Sequence, residues 1–189
     1  PNVSLTATPW LFQDLTETLD KRVLTTVSRH DDGAFYRDFS LNLNVSSILS
    51  DDFRSFDESI RENMKASIVL ELQPTDIFSD FSMYVKARDF AQKLGYKICI
   101  DGVNAQNLPY IDREKLAADF VKLTWQPDLP ATLAQNESLK EDLQAIGSNR
   151  TILCRVDDEK AVNFAKELNI TLLQGHYIQH LLNNAPRRP

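Results

Sequence analysis

Five polar residues recur at the ends of short apolar stretches, and their types are those of a binding or catalytic pocket. They are Asn44, Glu71, Asp101, Lys122 and Gln174. Taken singly, each has an ordinary structural explanation, such as a helix cap, a satisfied buried carboxylate or a lysine that reaches solvent. Burying charge is costly unless partners or a metal compensate, so their recurrence at successive stretches predicts one shared polar pocket.

The stretches that carry these residues are predicted strands, and helix-period segments lie between most of them. The predicted strands are residues 40–46, 67–72, 97–101, 119–123, 151–156 and 170–174. The predicted helices include residues 10–29, 79–94 and 157–168. Strand and helix in alternation predict an α/β fold with parallel strands joined by crossovers.

Three local patterns define these helices. The face of helix 10–29 that is predicted to be buried carries Leu11, Leu15, Leu19 and Val23. Gly95 is the expected C-cap of helix 79–94. Asp157 and Asp158 place acids at the positive end of the dipole of helix 157–168.

A (β/α) barrel is favoured over an open nucleotide-binding sheet. No glycine-rich phosphate loop follows any predicted strand, and such a loop is the mark of the open sheet. In a barrel the functional residues lie at the carboxyl ends of the strands, where this sequence has its polar residues.

Composition describes one globular domain of 189 residues, 42% hydrophobic and 25% charged. No apolar run is long enough to cross a membrane, which predicts a cytoplasmic chain, and the start without Met indicates a fragment of a longer protein. The net charge of −6, without a long basic run, argues against duplex nucleic acid as a partner. Cys99 and Cys154 are predicted to be buried free thiols.

The order of four segments resembles the EAL domain of bacterial cyclic di-GMP phosphodiesterases. LNVSSILSDDF from Leu43 is similar to the VNLS segment of that family, and IVLELQPTDI from Ile68 is similar to its ExTE strand. ICIDGVNAQNLPYIDREKLAADFVKL from Ile98 resembles its DDFGTG loop and DFIK strand. RVDDEKAVNFAKELNITLLQGHYI from Arg155 resembles its GVE helix and QGY strand. The resemblance covers residues 40–182, after a divergent strand and helix region at 1–39 and before a tail at 183–189.

The resemblance implies a modified (β/α)8 barrel of the TIM type with a shortened or incomplete amino-terminal part. In that family, two divalent metals and an activated water hydrolyse a phosphodiester. By position, Asn44, Glu71 and Asp101 match metal ligands, Lys122 matches the lysine that orients the water, and Gln174 matches a glutamine near the site.

Several positions depart from the family pattern. Gly102 stands where active members have a second Asp, Cys154 where they have the Glu of AEGVE, and Pro74 where they have the second Glu of ExTE. Asp157 shortens the last acid of AEGVE, and the Gly-rich loop is replaced by residues 103–106. No Glu-Ala-Leu triplet occurs; either residues 3–8 are the first strand, with Val3-Ser4-Leu5 in place of the triplet, or the first strand lies upstream of this sequence.

These departures predict a domain without useful phosphodiesterase activity and without a cofactor, unless Mg²⁺ or Mn²⁺ occupies the remaining ligands. Removal of one catalytic group commonly costs 10²- to 10⁴-fold, and here at least two metal-site carboxylates are gone. The favoured function is regulation through a protein partner, and a homodimer is a further expectation. The alternative is a receptor that binds cyclic di-GMP through Asn44, Glu71, Asp101, Lys122 and Gln174 without cleaving it.

A third hypothesis makes Cys154 a nucleophile. It is disfavoured, because such a cysteine needs a nearby base or positive charge. Strand alternation predicts that Arg155 points to the opposite face.

Overall fold

The computed structural model describes residues 9–28 and 39–184, with side chains from residue 14 onward in the first range. The candidate first strand at residues 3–8 therefore lies outside the described residues. The chain divides into two compact units, one ending at Ile98 and the other beginning at Cys99. Each unit is taken separately below, and the expectation of one domain stays a prediction.

The first unit holds two parallel strands and the helices before and after them. In chain order its elements are α1 (Pro9–Ser28), β1 (Phe39–Asn42), α2 (Val45–Ile48), α3 (Asp51–Ser59), α4 (Glu62–Lys65), β2 (Ile68–Leu72), α5 (Pro74–Ser79) and α6 (Phe81–Lys93). Strands β1 and β2 are parallel, with Leu41 opposite Leu70.

Aromatic rings and one buried ion pair fill the core beside α3. Phe53, Phe56 and Tyr96 are almost fully buried, and the rings of Phe53 and Tyr96 lie 5.4 Å apart. The Tyr96 hydroxyl donates a hydrogen bond of 2.9 Å to Asp57, and the Lys65 ammonium lies 2.7 Å from the same carboxylate. The cost of burying the charges of Lys65 and Asp57 is therefore offset by their ion pair and by the hydrogen bond from Tyr96.

The prediction for the buried face of α1 is wrong. Three of its four residues are exposed: Leu15 41%, Leu19 49% and Val23 38%. The side chain of the fourth, Leu11, lies outside the described part. Asp20 and Leu24 face inward instead, with 7% and 1% exposure. The reason is tertiary, because the Asp20 carboxylate accepts hydrogen bonds from the turn after β1.

The predicted end of α6 at Gly95 is confirmed. Gly95 has a φ of +97°, its N–H donates to the Gln92 carbonyl, and the Tyr96 N–H donates to the Ala91 carbonyl. This pair of hydrogen bonds is the Schellman motif, for which glycine is favoured because it has no Cβ.

The second unit carries the remaining strands, all parallel. Its elements are β3 (Lys97–Val103), a 3₁₀ turn (Leu108–Tyr110), α7 (Arg113–Leu116), β4 (Phe120–Thr124), α8 (Leu129–Gln135), α9 (Glu137–Ile146), β5 (Thr151–Cys154), α10 (Glu159–Glu167), β6 (Leu172–Gln174) and α11 (His176–Asn184). The first two residues of β3 belong to the first unit. Strand β3 pairs with β4, β4 with β5 and β5 with β6, and Leu123 is opposite Leu153.

Three strands end two or more residues away from the predicted position, for local reasons. Strand β1 stops at Asn42 because Asn44 already occupies the N-cap position of α2. Strand β5 stops at Cys154 because Arg155 has a φ of +58°, which a strand does not allow. Strand β3 runs on to Val103 through a change of register after Ile100.

Asp158 opens α10 as predicted, since its side chain accepts the Ala161 N–H at 2.8 Å. Asp157 lies outside the helix and accepts the His176 N–H at 2.9 Å. Among the described helices, none is long and apolar enough to cross a bilayer.

Parallel strands that alternate with helices confirm the α/β class. The described residues hold six strands, two fewer than a complete (β/α)8 barrel. The described part is therefore an incomplete version of the predicted barrel fold.

Candidate functional site

Helix α1 holds Asn44, in the turn after β1, through three hydrogen bonds. Its backbone N–H and its Nδ2 both donate to Asp20 Oδ2 at 2.7 Å, and its Oδ1 accepts from the Thr16 hydroxyl at 3.3 Å. The Ser47 hydroxyl donates to the same Asp20 oxygen at 2.6 Å. Asn44 is thus fixed by α1, and its amide oxygen already has a donor.

A second carboxylate supports the same turn. Asp76, in α5, accepts the Val45 N–H at 2.5 Å. Burial raises the pKa of the Asp76 carboxyl and the hydrogen bond from Val45 lowers it, while the charges of Asp20 and Glu17 raise it further. The net effect is a raised pKa, so this carboxyl accepts a proton more readily than an exposed aspartate.

Glu71 is the fourth residue of β2 and is only 4% exposed. Together with Asn44, Asp20 and Asp76 it lines a cavity of about 400 Å³ within the first unit. The structure therefore brings together two of the predicted site residues, and it surrounds them with acids. Pro74 is the first residue of α5, where its missing N–H costs no helical hydrogen bond.

In the second unit Asp101 and Lys122 form an ion pair. Their Oδ1 and Nζ atoms lie 3.9 Å apart, and Lys122 is 6% exposed. Both residues lie within strands rather than at strand ends, which corrects the expectation for these two positions. Gly102 follows with a φ of +72°, in the segment where the β3 register shifts.

The loop after β3 is ordered by two asparagines. Asn107 Oδ1 accepts the Asn104 N–H at 2.8 Å, and Asn104 Oδ1 accepts the Gln106 N–H at 2.8 Å. Asn107 Nδ2 also donates to the Gly102 carbonyl at 3.1 Å. The loop that replaces the Gly-rich segment is therefore tied back to Gly102.

Cys154 ends β5 beside Thr124, as parallel pairing requires. Its Sγ lies 3.6 Å from the Thr124 hydroxyl. Burial raises the pKa of the Cys154 thiol, and this outweighs the lowering by Thr124, Lys122 and Arg155. A thiol that is protonated at neutral pH is a poor nucleophile.

Gln174 is the last residue of β6 and is exposed, and its backbone carbonyl accepts the Val156 N–H at 3.0 Å. It lies opposite Cys154 in the sheet register. The carboxyl edge of β4, β5 and β6 therefore carries Thr124, Cys154 and Gln174 side by side.

The donor set of the second unit does not fit Mg²⁺ or Mn²⁺. Both ions prefer several oxygen ligands, whereas Asp101 already pairs with an ammonium, Gly102 has no side chain and Cys154 offers a soft sulfur. In the part of the chain that the structure describes, no three His, Cys, Asp or Glu side chains are grouped to hold a metal.

Sequence reasoning missed the residues that organise these positions. Asp20 and Asp76 hold the turn at Asn44, and Asn104 and Asn107 hold the loop at Gly102. The paired asparagines three residues apart were the available signal, because such side chains commonly cap turns. No local signal connects residue 20 with residue 44.

Comparison with solved structures identifies the fold. The Vibrio cholerae LapD S helix-GGDEF-EAL protein in its apo form has a TM-score of 0.70 at 17% identity, over 93% of this chain and 44% of that chain. The Xanthomonas citri FimX EAL domain in complex with c-diGMP has a TM-score of 0.61 at 14% identity, over 93% and 75%. The Bacillus subtilis YkuI protein, with an EAL domain, in complex with c-di-GMP and calcium has 0.61 at 19%, over 85% and 41%.

The chain thus has the fold of EAL domains, as the sequence resemblance implied. It spans less than half the length of the LapD and YkuI chains. No protein-family model and no curated protein matches the sequence.

Proposed function

We propose that this chain is a catalytically inactive EAL-like domain that acts as a regulatory, protein-interacting module in bacterial cyclic di-GMP-linked signalling. The observation that carries the proposal is Gly102, which follows Asp101 in a left-handed backbone conformation and has no side chain to act as the second acid. In the resembling family this stretch supplies two adjacent acids to the metals.

The chemistry of a two-metal site explains why this stretch is decisive. Two cations stabilise the attacking and leaving oxygens only when several carboxylates hold them at a fixed separation. Asp101 keeps one of the two acids of this stretch, and Gly102 offers no side chain in place of the other. Loss of even one strongly engaged group typically costs about 10²- to 10⁴-fold in rate.

The ordered loop after β3 supports the interaction part of the proposal. Hydrogen bonds between Asn104 and Asn107 fix its shape, and Tyr110 just beyond it is 73% exposed. Exposed aromatic residues on an ordered surface are enriched at protein interfaces.

The test is a hydrolysis assay with purified chain, cyclic di-GMP and either Mg²⁺ or Mn²⁺. We expect no linear dinucleotide above the level of the protein-free sample, with an active EAL enzyme assayed in parallel as the positive control. Turnover at a rate comparable with that enzyme would refute the proposal.

A second candidate function is a receptor that binds cyclic di-GMP without cleaving it. Two of the similar structures are complexes of EAL domains with this nucleotide, and Asn44 and Glu71 line a cavity of about 400 Å³. Calorimetric titration separates the candidates, since binding in the micromolar range or tighter favours the receptor. Absence of binding, with a specific protein partner, favours the interaction module.

A further inference from the structure

Arg155 occupies a backbone position that suits glycine. It follows the last residue of β5 and has a φ of +58°. In this left-handed region the Cβ of an L-residue crowds the following carbonyl oxygen, and glycine avoids that cost. Non-glycine residues held in such conformations cluster at active sites and ligand-binding sites, where the strained backbone contributes to function.

The position of Arg155 is the carboxyl edge of three adjacent strands. Cys154, the residue before it, is opposite Thr124 on one side and Gln174 on the other. Because β5 ends at Cys154 and the chain turns at Arg155, the strand alternation from which the direction of the Arg155 side chain was predicted does not reach this residue. Burial raises the pKa of the Cys154 thiol, and the positive charge of Arg155 opposes this with a small lowering.

Arg155 and Lys122 differ in exposure and in ion pairing. Lys122 is buried and pairs with Asp101, whereas Arg155 is exposed and forms no ion pair among the residues that the structure describes. Asp157 is the nearest acid in sequence, and its carboxylate accepts the His176 N–H. Among the residues that the structure describes, Arg155 is thus a cation at this edge that forms no ion pair.

We propose that Arg155 is an anion-binding residue that contacts a phosphodiester group of a cyclic dinucleotide at the carboxyl edge of β4, β5 and β6. A guanidinium suits this task, because its planar fork can donate two parallel hydrogen bonds to phosphate oxygens and it stays charged at any physiological pH. The inference rests on the receptor candidate and identifies a residue that makes binding independent of metal.

The test uses the full chain and calorimetric titration with cyclic di-GMP in the presence of a chelator. Arg155→Gln is expected to weaken binding by at least about tenfold, the range of one charge-assisted contact. Arg150→Gln is the matched control, since Arg150 is also exposed but precedes β5 at its opposite end, beside the Phe120 ring. Its affinity is expected to equal that of the unchanged chain.

Arg155→Gly separates binding from folding. Glycine relieves the left-handed backbone, so the melting temperature is expected to stay equal or rise while the affinity falls as in Arg155→Gln. A lower melting temperature together with weaker binding would assign Arg155 a structural role and overturn the proposal.

Two further results would also overturn the proposal. One is unchanged affinity in both Arg155 variants, which would leave the receptor function in place. The other is absence of binding by the unchanged chain, which would leave the inactive interaction module in place, because the hydrolysis assay tests that function independently.

Discussion

Asp76 illustrates how a single carboxyl can couple the turn after β1 to pH. It is half-buried, it accepts the Val45 N–H, and burial raises its pKa above the ordinary value of 3.8. An acid whose pKa is higher in the folded state binds its proton more tightly when folded. Its contribution to the free energy of unfolding therefore falls as pH rises through the raised pKa.

We expect Asp76→Asn to be at least as stable as the unchanged chain at pH 7, because the amide oxygen can still accept from Val45 and no buried charge remains. The contribution of residue 76 to the slope of stability against pH, from about 3.8 upward, should disappear. Denaturant unfolding at a series of pH values measures both effects.

Asp112 provides a control of opposite sign. Hydrogen bonds from the N–H and the side chain of Lys115 lower the pKa of Asp112, so its contribution is present at neutral pH and lost on acidification. Asp112→Asn should therefore remove a contribution to the free energy of unfolding that rises with pH, whereas Asp76→Asn removes one that falls with pH. Parallel profiles for both variants would contradict the assignment of the raised pKa to Asp76.

At the scale of elements, the contact between β5 and β6 depends on the absence of a side chain at Gly175. A Cβ at this residue would overlap backbone atoms of Val156, which cannot move as the end of a flexible side chain can. The same region is joined by hydrogen bonds from the Val156 N–H to Gln174 and from the Tyr177 N–H to Val156. The backbones at Val156 and Gly175 therefore lie in close contact just after the ends of β5 and β6.

Gly175→Ala should destabilise the chain by about 2 kcal/mol or more, in the range typical of overpacking. Gly95→Ala is the matched control, since its Cβ would meet nothing nearer than 3.6 Å and its cost is the left-handed backbone alone, about 1 kcal/mol. Equal losses of unfolding free energy in the two variants would show that the approach at Val156 is not limiting.

The strands were predictable because short apolar runs bounded by polar residues are a local signal, and each predicted strand has a counterpart in the structure. The inward face of α1 was not, because Asp20 faces inward to meet donors 24 residues later in the chain. The bend at Arg155 had no local signal, because arginine, unlike glycine or asparagine, does not favour a left-handed backbone. A tertiary partner therefore decided the inward face of α1, whereas local backbone geometry decided the end of β5.

For the molecule as a whole, charge limits the class of ligand. The net charge is −6, and duplex binding needs several cations that displace condensed counterions together. One exposed guanidinium at the edge of β5 can contact a single phosphate group of a small ligand. It cannot track a duplex backbone.

We therefore expect no retardation of a duplex DNA fragment at about 0.15 M salt and protein concentrations up to about 10⁻⁴ M, where non-specific DNA-binding proteins already bind. A basic protein of similar mass serves as the positive control in the same gel. A shift at micromolar protein would contradict the expectation and indicate a basic surface on the chain.

The two thiols of the second unit have a practical consequence for spectroscopy. Cys99 is fully buried, and Cys154 is 9% exposed with a raised pKa, so neither should react quickly with a maleimide at neutral pH. A cysteine introduced on the exposed helix α11 can then be labelled selectively in the native chain. Fluorophores or spin labels would report on ligand binding without prior removal of the natural cysteines.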